Sequence, residues 1–249
     1  MQHDGRSSGA IDEVIDALQR RLDDLPAGLD HRRVFIETYQ RTTQAVGAAV
    51  AEAFFEDPDW VTRWDVAFAD LFLVAHDADL AGGDVPRPWR LAFAADPGLP
   101  VLAHLLLGMN AHINYDLPPA MLSVINNTEF TDFVLLDRRR RDHERIDRII
   151  ASRVAAEDRQ IGGRRSVLDR LLKPLHRLSS RRFLREARQK VWLNVAQLQA
   201  ARGDGPAAYA TRLGELELLS AAKIADLLTP GPVLIRLAAT GFGVTLPPP

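Results

Sequence analysis

The sequence contains no cysteine, which excludes disulfides, thiolate nucleophiles and cysteine-based zinc or iron–sulfur sites. No apolar run approaches the roughly 20 residues that a membrane span needs. The first nine residues lack the apolar core of a secretory signal. These absences predict a cytoplasmic protein without a membrane span.

An excess of charge of one sign is also missing. Lys and Arg number 31, Asp and Glu number 33, and the net charge is −2. Such a balance gives no overall field that would hold nucleic acid. A helix would spread the run Arg138–Arg141 around its circumference, so this run indicates a solvated face. Glycine-rich phosphate loops are absent, and we expect neither a nucleotide nor a redox cofactor.

Aromatic residues make up only 7% of the chain, so the core must pack mainly on Leu, Ala, Val and Ile, which suits helices. Apolar residues recur at helical spacing, and no period-two run of useful length is present. The pattern predicts an all-α, single-domain bundle of about nine helices. We expect residues 1–9 to be disordered, 10–240 to form the domain with a polar loop near 157–165, and 241–249 to be a tail.

The segment 100–116 is predicted to be the buried central helix, because its apolar residues cover nearly its whole circumference. Its second half nevertheless carries Asn110, His112, Asn114 and Asp116. Polar groups inside such a helix are costly unless they are paired or bound to a ligand. His112 and Asp116 are i,i+4 neighbours, close enough to bind one ion or to hydrogen-bond each other.

The stretch Gly-Met-Asn-Ala-His-Ile-Asn-Tyr-Asp-Leu-Pro at 108–118 resembles the signature of an uncharacterised, mainly actinobacterial family known only as a domain of unknown function. Weaker similarity lies at Pro88–Phe93, Asp132–Phe133 and Val191–Asn194. The resemblance covers roughly residues 30–201. It implies that the central helix is the heart of the fold, and it implies no activity.

One hypothesis is an enzyme that acts on a small, largely apolar molecule by hydrolysis, cyclisation or isomerisation. His112 would be the general base, with Asp116 and Asn110 as its catalytic partners in a pocket between helices. The candidate binding residues are Trp89, Asn114, Tyr115 and Asn194.

A divalent metal ion is an alternative use of the same pair. It would need a third protein ligand beside His112 and Asp116, and Asp132 is the favoured candidate. The other options are Asp65, His104 and Asp142. Asp132 also lies in the first turn of its helix, where a carboxylate stabilises the helix dipole.

The competing hypothesis is a non-catalytic module that binds a ligand or another protein. His112 and Asp116 would then form a structural polar network that fixes helix packing. The sequence leaves the choice between these hypotheses, the substrate and the oligomeric state open.

Overall fold

The structure is a computed structural model that describes residues 4–160, 181–231, 237 and 240–248. Within these residues the fold is all-α and contains no strand, as the apolar periodicity predicts. The helices are α1 (Asp4–Asp23), α2 (Arg33–Ala51), α3 (Pro58–Leu80), α4 (Arg87–Phe93), α5 (Val101–Ala111), α6 (Leu117–Val124), α7 (Phe133–Gln160), α8 (Arg181–Asp204) and α9 (Pro206–Leu228), with a 3₁₀ turn at Asp30–Arg32 and a π-helix at His112–Asp116.

Helix boundaries follow the turn residues of the sequence. At the start of α3, Asp57 Oδ1 accepts a hydrogen bond from Trp60 N at 2.9 Å, and Pro58 occupies the first turn, where a backbone N–H is not needed. Helix α9 begins with Pro206, directly after Gly205. The φ of +116° at Gly205 is a conformation that other residues rarely adopt.

The central helix is confirmed as buried, and it is longer than the sequence pattern predicts. Helix α5 continues through the π-helix His112–Asp116 into α6, so the prolines at 118 and 119 do not end the helical run. The π-helix shifts the register by adding a residue to the turn, with Leu117 N bonded to His112 O. Pro118 and Pro119 therefore fall in the first turn of α6, where missing N–H groups are tolerated.

Helix α5 lies among α2, α4 and α9, which all pack against it. Helix α1 packs along α2 and α3, and α6 contacts α3 and α8. The main hydrophobic cluster joins side chains of α1–α5 with Ile224 and Leu227 of α9. This arrangement places the polar residues of the central run in the interior.

The two ends of the described fold lie in the segments predicted as a disordered start and a tail. Helix α1 begins at Asp4, about one and a half turns before the predicted start near Ala10. In the segment predicted as a tail, Phe242 and Leu246 are buried against the helices. Helix α7 extends to Gln160, within the predicted polar loop near 157–165, while 161–165 lies outside the described residues.

Asp142 of α7 is fully buried and holds the turn that precedes α3. Its carboxylate accepts the backbone N–H groups of Glu56 and Asp57, both at 2.8 Å, and the Arg145 guanidinium at 2.9 Å. The structure thus gives it the role of a buried partner for an arginine rather than a metal ligand.

We expect Asp142→Ala to lower the free energy of unfolding by about 2–4 kcal/mol, because it leaves two backbone N–H groups unpaired beside the core. Urea unfolding followed by circular dichroism measures the change. Asp137→Ala is the control, since Asp137 is exposed and pairs only with Arg141 among the described residues. Its expected change is within about 0.5 kcal/mol, and equal effects of both substitutions would contradict the assignment.

Candidate functional site

The π-helix places three predicted site residues in the protein interior. His112, Asn114 and Asp116 are all buried, although in a regular α-helix Asn114 would lie on the side opposite to His112 and Asp116. Short π-helical turns insert one residue into a helix and often occur where side chains serve a function. The polar residues of the central helix therefore coincide with its one irregular turn among the described residues.

His112 and Asp116 form the predicted contact, and Trp89 joins them. His112 Nδ1 lies 2.9 Å from Asp116 Oδ2, and the indole N–H of Trp89 donates to the same oxygen at 2.8 Å. With Nδ1–H donated to the carboxylate, Nε2 of His112 is the nitrogen that carries the lone pair. Asp116 orients the imidazole in this arrangement, as a carboxylate does in catalytic His–Asp pairs.

Aromatic rings enclose this pair and seal it from solvent. The Phe68 ring stacks on His112 at 3.6 Å between centroids, and the Tyr39 ring lies at 4.6 Å. Burial lowers the pKa of His112 well below its usual value. Burial also raises the pKa of Asp116 well above its usual value, against the hydrogen bond from Trp89. Both shifts favour the uncharged forms. The burial of both side chains closes the pair to a substrate in this conformation.

Three buried polar atoms around His112 have no hydrogen-bond partner among the described residues. They are His112 Nε2, Tyr39 Oη and Asp65 Oδ2. Burial raises the pKa of Asp65 to about 7. Burial is also the main reason why the pKa of Tyr39 is raised well above its usual value, with Asp65 and Asp116 adding to the effect. This layer is a costly part of the core, because unpaired buried polar groups are each destabilising.

A half-open cleft lies on the other side of Trp89, and we call it the histidine cleft. Its cavity of about 20 Å³ has room for one water-sized group. The polar residues that line it are His31, Arg32, His76 and His104, and its apolar wall consists of Phe35, Ile36, Phe72, Trp89, Ala92, Phe93 and Gly108.

The imidazoles of the histidine cleft each keep a nitrogen without a partner among the described residues. These nitrogens are Nε2 of His76, Nε2 of His104, and both ring nitrogens of His31. The rings of His31 and His104 lie 4.8 Å apart. His76 Nδ1 lies 3.4 Å from Asp77 Oδ1 on the outer side.

Burial lowers the pKa of both His76 and His104, so both rings are uncharged at neutral pH. For His104, the neighbouring His31 adds to the lowering, while backbone groups of Asp96 and Pro97 act in the opposite direction by hydrogen bonding. Because Nε2 of His104 has no partner, Nδ1 is the nitrogen that faces these backbone groups. The two rings thus present their lone pairs on Nε2.

Arg32 forms one end of the cleft in a fixed position. Its guanidinium donates to Asp79 at 2.7 Å and to the Phe93 carbonyl at 3.1 Å, and it lies 4.6 Å from the centroid of the Phe93 ring. Its Nε–H has no partner within the described part of the chain. The cleft therefore offers a donor from Arg32 opposite uncharged imidazole acceptors.

Gly108 allows the wall of the cleft to form. A Cβ at this position would lie 2.5 Å from Cδ2 of Phe35, a distance that real contacts essentially never show. The absence of a side chain lets the Phe35 ring pack directly on α5 and lie edge-on to Trp89 at 5.4 Å between centroids. Trp89 thereby belongs to both features, as a wall of the cleft and as a donor to Asp116.

The structure separates the predicted metal ligands. Asp132 lies at the surface and caps α7, where its Oδ1 accepts the N–H groups of Val134 and Leu135, both at 3.0 Å. Among the described residues, no group of three or more His, Asp or Glu side chains is arranged to hold a metal ion. The predicted set of His112, Asp116 and Asp132 is not brought together in this structure, because the third carboxylate stabilises a helix end instead.

The predicted asparagines do not meet at the His112–Asp116 pair. Asn110 and Asn114 donate to the carbonyl of Phe242, and Asn194 donates to that of Val244. Tyr115 is half-buried and packs in a separate leucine cluster. Of the predicted binding residues, the structure places Trp89 alone in the wall of the histidine cleft.

Sequence reasoning missed His31 and Arg32. The missed residues lie in the 3₁₀ turn Asp30–Arg32, which carries no motif. His76 shares a face of α3 with the apolar residues Ala69, Phe72 and Leu73. No sequence spacing connects His31 with His104.

In a comparison with known protein families, the chain matches the model described as a family of unknown function (DUF5995) over residues 11–230. No curated protein and no solved structure matches the chain. The matched range includes every residue of the histidine cleft and of the His112–Asp116 pair. None of the described helices has the length and apolar character that crossing a membrane requires.

Proposed function

The chain belongs to the family of unknown function DUF5995, and we propose that its histidine cleft binds a small molecule with a largely apolar body and a hydroxyl head. In this proposal the hydroxyl donates its one hydrogen bond, and then its one proton, to Nε2 of either His76 or His104, and the hydroxyl oxygen keeps the negative charge. The reaction class is hydrolysis or isomerisation, both of which can begin with removal of a proton from a hydroxyl or a water molecule.

The observation that carries the proposal is the pair of unpartnered Nε2 atoms on His76 and His104. Each belongs to a ring whose Nδ1 faces an acceptor on the outer side, Asp77 for His76 and the backbone near Pro97 for His104. A buried imidazole held in this tautomer is an acceptor without a donor, and such groups mark functional sites more often than chance.

The shape of the cleft indicates the rest of the ligand. The cavity accommodates a water-sized head, so the body of the molecule would lie toward the open side of the cleft. Trp89 and Phe93 stack at 5.1 Å between centroids and form a buried apolar wall beside the head group. The free Nε–H of Arg32 would stabilise negative charge that develops on the head group as the proton leaves.

His112 and Asp116 take a supporting role in this proposal. They are sealed behind Trp89, and their effect on a bound molecule would pass through the hydrogen bond that fixes the indole. For His112 and Asp116, the proposal thus favours the hypothesis of a structural polar network. The ligand site lies next to this network, in the histidine cleft. A substitution of His112 would then alter affinity without removing the proton acceptor.

The experiment uses 4-nitrophenol as a probe, because it combines an aromatic body with a hydroxyl and its ionised and neutral forms absorb differently. We expect His76→Gln and His104→Gln each to weaken binding about tenfold, which corresponds to loss of one hydrogen bond of about 1.4 kcal/mol. Difference absorption should show the ionised form bound to the wild-type protein and the neutral form bound to these variants.

His143→Gln is the matched control. This imidazole is also buried, but it contacts Trp64 and Trp192 and does not line the cleft. It should bind the probe with unchanged affinity even if the protein is less stable. Equal affinity of all three variants and the wild type would refute the proposal, as would binding without any spectral change.

A further inference from the structure

The segment Gly241–Leu246 is held against the helices by side chains that bind only its backbone. Asn110 and Asn114 donate to the Phe242 carbonyl at 3.1 and 3.0 Å, and Lys190 Nζ donates to the Gly243 carbonyl at 3.1 Å. We call the site formed by Asn110, Asn114, Lys190 and Asn194 the asparagine groove.

Two asparagines of the groove each bind the segment with both ends of the carboxamide. Asn114 donates to the Phe242 carbonyl and accepts from Val244 N at 3.3 Å. Asn194 repeats the pattern one step further, donating to the Val244 carbonyl at 3.1 Å and accepting from Leu246 N at 2.8 Å. A carboxamide that pairs with both the C=O and the N–H of an extended chain acts like a neighbouring strand in a sheet.

Two apolar anchors fix the segment in the groove. Phe242 is 4% exposed and joins the main hydrophobic cluster, while Leu246 is 2% exposed and packs with Leu122, Leu198 and Leu216. Thr245 between them is exposed. The segment is thus recognised by backbone pairing together with apolar side chains four residues apart, which is how grooves commonly recognise extended peptides.

Gly243 restricts which residues the segment can have between its two anchors. A Cβ at this position would lie 2.7 Å from Cδ of Lys190, so a larger residue would displace the side chain that binds the Gly243 carbonyl. The groove therefore discriminates among extended segments, and it does so at a position between the anchors.

We propose that the asparagine groove is a peptide-binding site whose resident segment Gly241–Leu246 can be replaced by the same segment of a second copy of the chain. A second copy supplies identical backbone groups and anchors, so it can meet every contact described above. The resident segment acts as an intramolecular competitor, with an effective concentration in the millimolar range that is typical of short tethers. Exchange between copies consequently requires its release.

The first test uses the wild-type chain and the synthetic peptide Thr-Gly-Phe-Gly-Val-Thr-Leu-Pro-Pro-Pro, which corresponds to residues 240–249. In large excess, the peptide should displace the resident segment and accelerate hydrogen exchange at the amides of Val244 and Leu246. Exchange in α5 should stay unchanged. A peptide with Ala in place of Gly243 and a scrambled peptide are the controls, and both should have little effect.

The second test mixes two full-length variants. The acceptor, Phe242→Asp with Leu246→Asp, keeps its groove but loses its own anchors. The donor, Asn114→Ala with Asn194→Ala, keeps its anchors but loses the bidentate contacts. We expect each variant to be monomeric alone and the mixture to contain a heterodimer, as measured by light scattering after size exclusion. The acceptor should also bind the synthetic peptide at least about tenfold more tightly than the wild type.

Asn127→Ala and Thr245→Ala are the matched controls, since both residues are exposed and do not contribute to the contacts of the groove. Circular dichroism establishes that each variant keeps its helical content. If either paired variant fails to fold, the exchange experiment on the wild-type chain decides alone. The proposal is overturned if the peptide leaves Val244 and Leu246 protected, or if folded donor and acceptor chains do not associate.

Discussion

Replacement of Asp65 by Asn is expected to raise the free energy of unfolding by about 4 kcal/mol above pH 7, the value of a pKa shift from 3.8 to about 7. The carboxyl group is buried in α3, and its Oδ2 has no partner among the described residues. In the ionised form it places an uncompensated charge in the core, and an amide of the same shape removes that charge.

The sign of the pH dependence follows from the direction of the shift. Because the folded pKa of Asp65 lies above the unfolded value, the folded state binds more protons between pH 3.8 and about 7. Stability from this group is fully present below the unfolded pKa and is lost as the pH rises through the folded pKa. Burial of His76 and His104 lowers their pKa and acts in the opposite sense, favouring stability as the pH rises.

The quantity to measure is therefore the difference in free energy of unfolding between wild type and variant, because the histidine contributions cancel in this difference. Urea unfolding at a series of pH values should show little difference near pH 4 and a growing advantage of Asp65→Asn up to about pH 8. Asp70→Asn is the control, since Asp70 is an exposed carboxyl on the same helix. A pH-independent difference at Asp65 would contradict a raised pKa.

The sequence predicted the fold class and the centre of the fold because those depend on local periodicity. Val101–Ala111 is apolar around nearly its whole circumference, and only a position in the middle of a helical bundle covers such a helix. The i,i+4 contact between His112 and Asp116 was also predictable, since it needs only one helix. The third partner, Trp89, was a candidate for ligand binding, but its indole hydrogen bond depends on how α4 packs.

The histidine cleft could not be predicted, because it is a product of tertiary packing. His31 comes from a 3₁₀ turn, His76 from the last turns of α3, and His104 from the first turn of α5. No spacing rule relates residues in separate elements. The π-helix could not be predicted either. The prolines at 118 and 119 predict the end of a helix, and only a register shift accommodates them within one helical run.

The buried asparagines show a different limit of prediction from the sequence. A buried Asn is equally compatible with a ligand, a catalytic role or a backbone partner, because its carboxamide both donates and accepts. Sequence reasoning assigned Asn110 to catalysis and Asn194 to ligand binding. The structure gives both a backbone partner in the segment near Phe242 and Val244, which lies far away in the sequence.

The largest loss of stability is expected from Asp116→Ala. This carboxylate oxygen is the shared acceptor for His112 Nδ1 and the indole N–H of Trp89. Removing it leaves two buried donors without a partner and a cavity between α4 and the π-helix. We expect a loss of about 3–5 kcal/mol, a large part of the total stability of an ordinary domain.

Two further variants show how much of this loss of stability comes from the hydrogen bond of Trp89. Trp89→Phe keeps an aromatic ring in the wall of the cleft and removes one donor, so it should cost about 1–2 kcal/mol. Asp132→Ala removes an exposed helix cap and serves as the reference for a carboxylate outside the core, with an expected cost of about 1 kcal/mol.

The double variant Asp116→Ala with His112→Ala separates coupling from simple loss of packing. If the two side chains form one network, the double variant should be less destabilised than the sum of the single variants, by about 1–3 kcal/mol, because the second substitution removes a donor that the first left unpaired. Unfolding by urea, monitored by tryptophan fluorescence and circular dichroism together, provides all four corners of the cycle. Strict additivity would mean that His112 and Asp116 contribute independently, and Trp89 alone would then depend on the carboxylate for its position in the wall of the cleft.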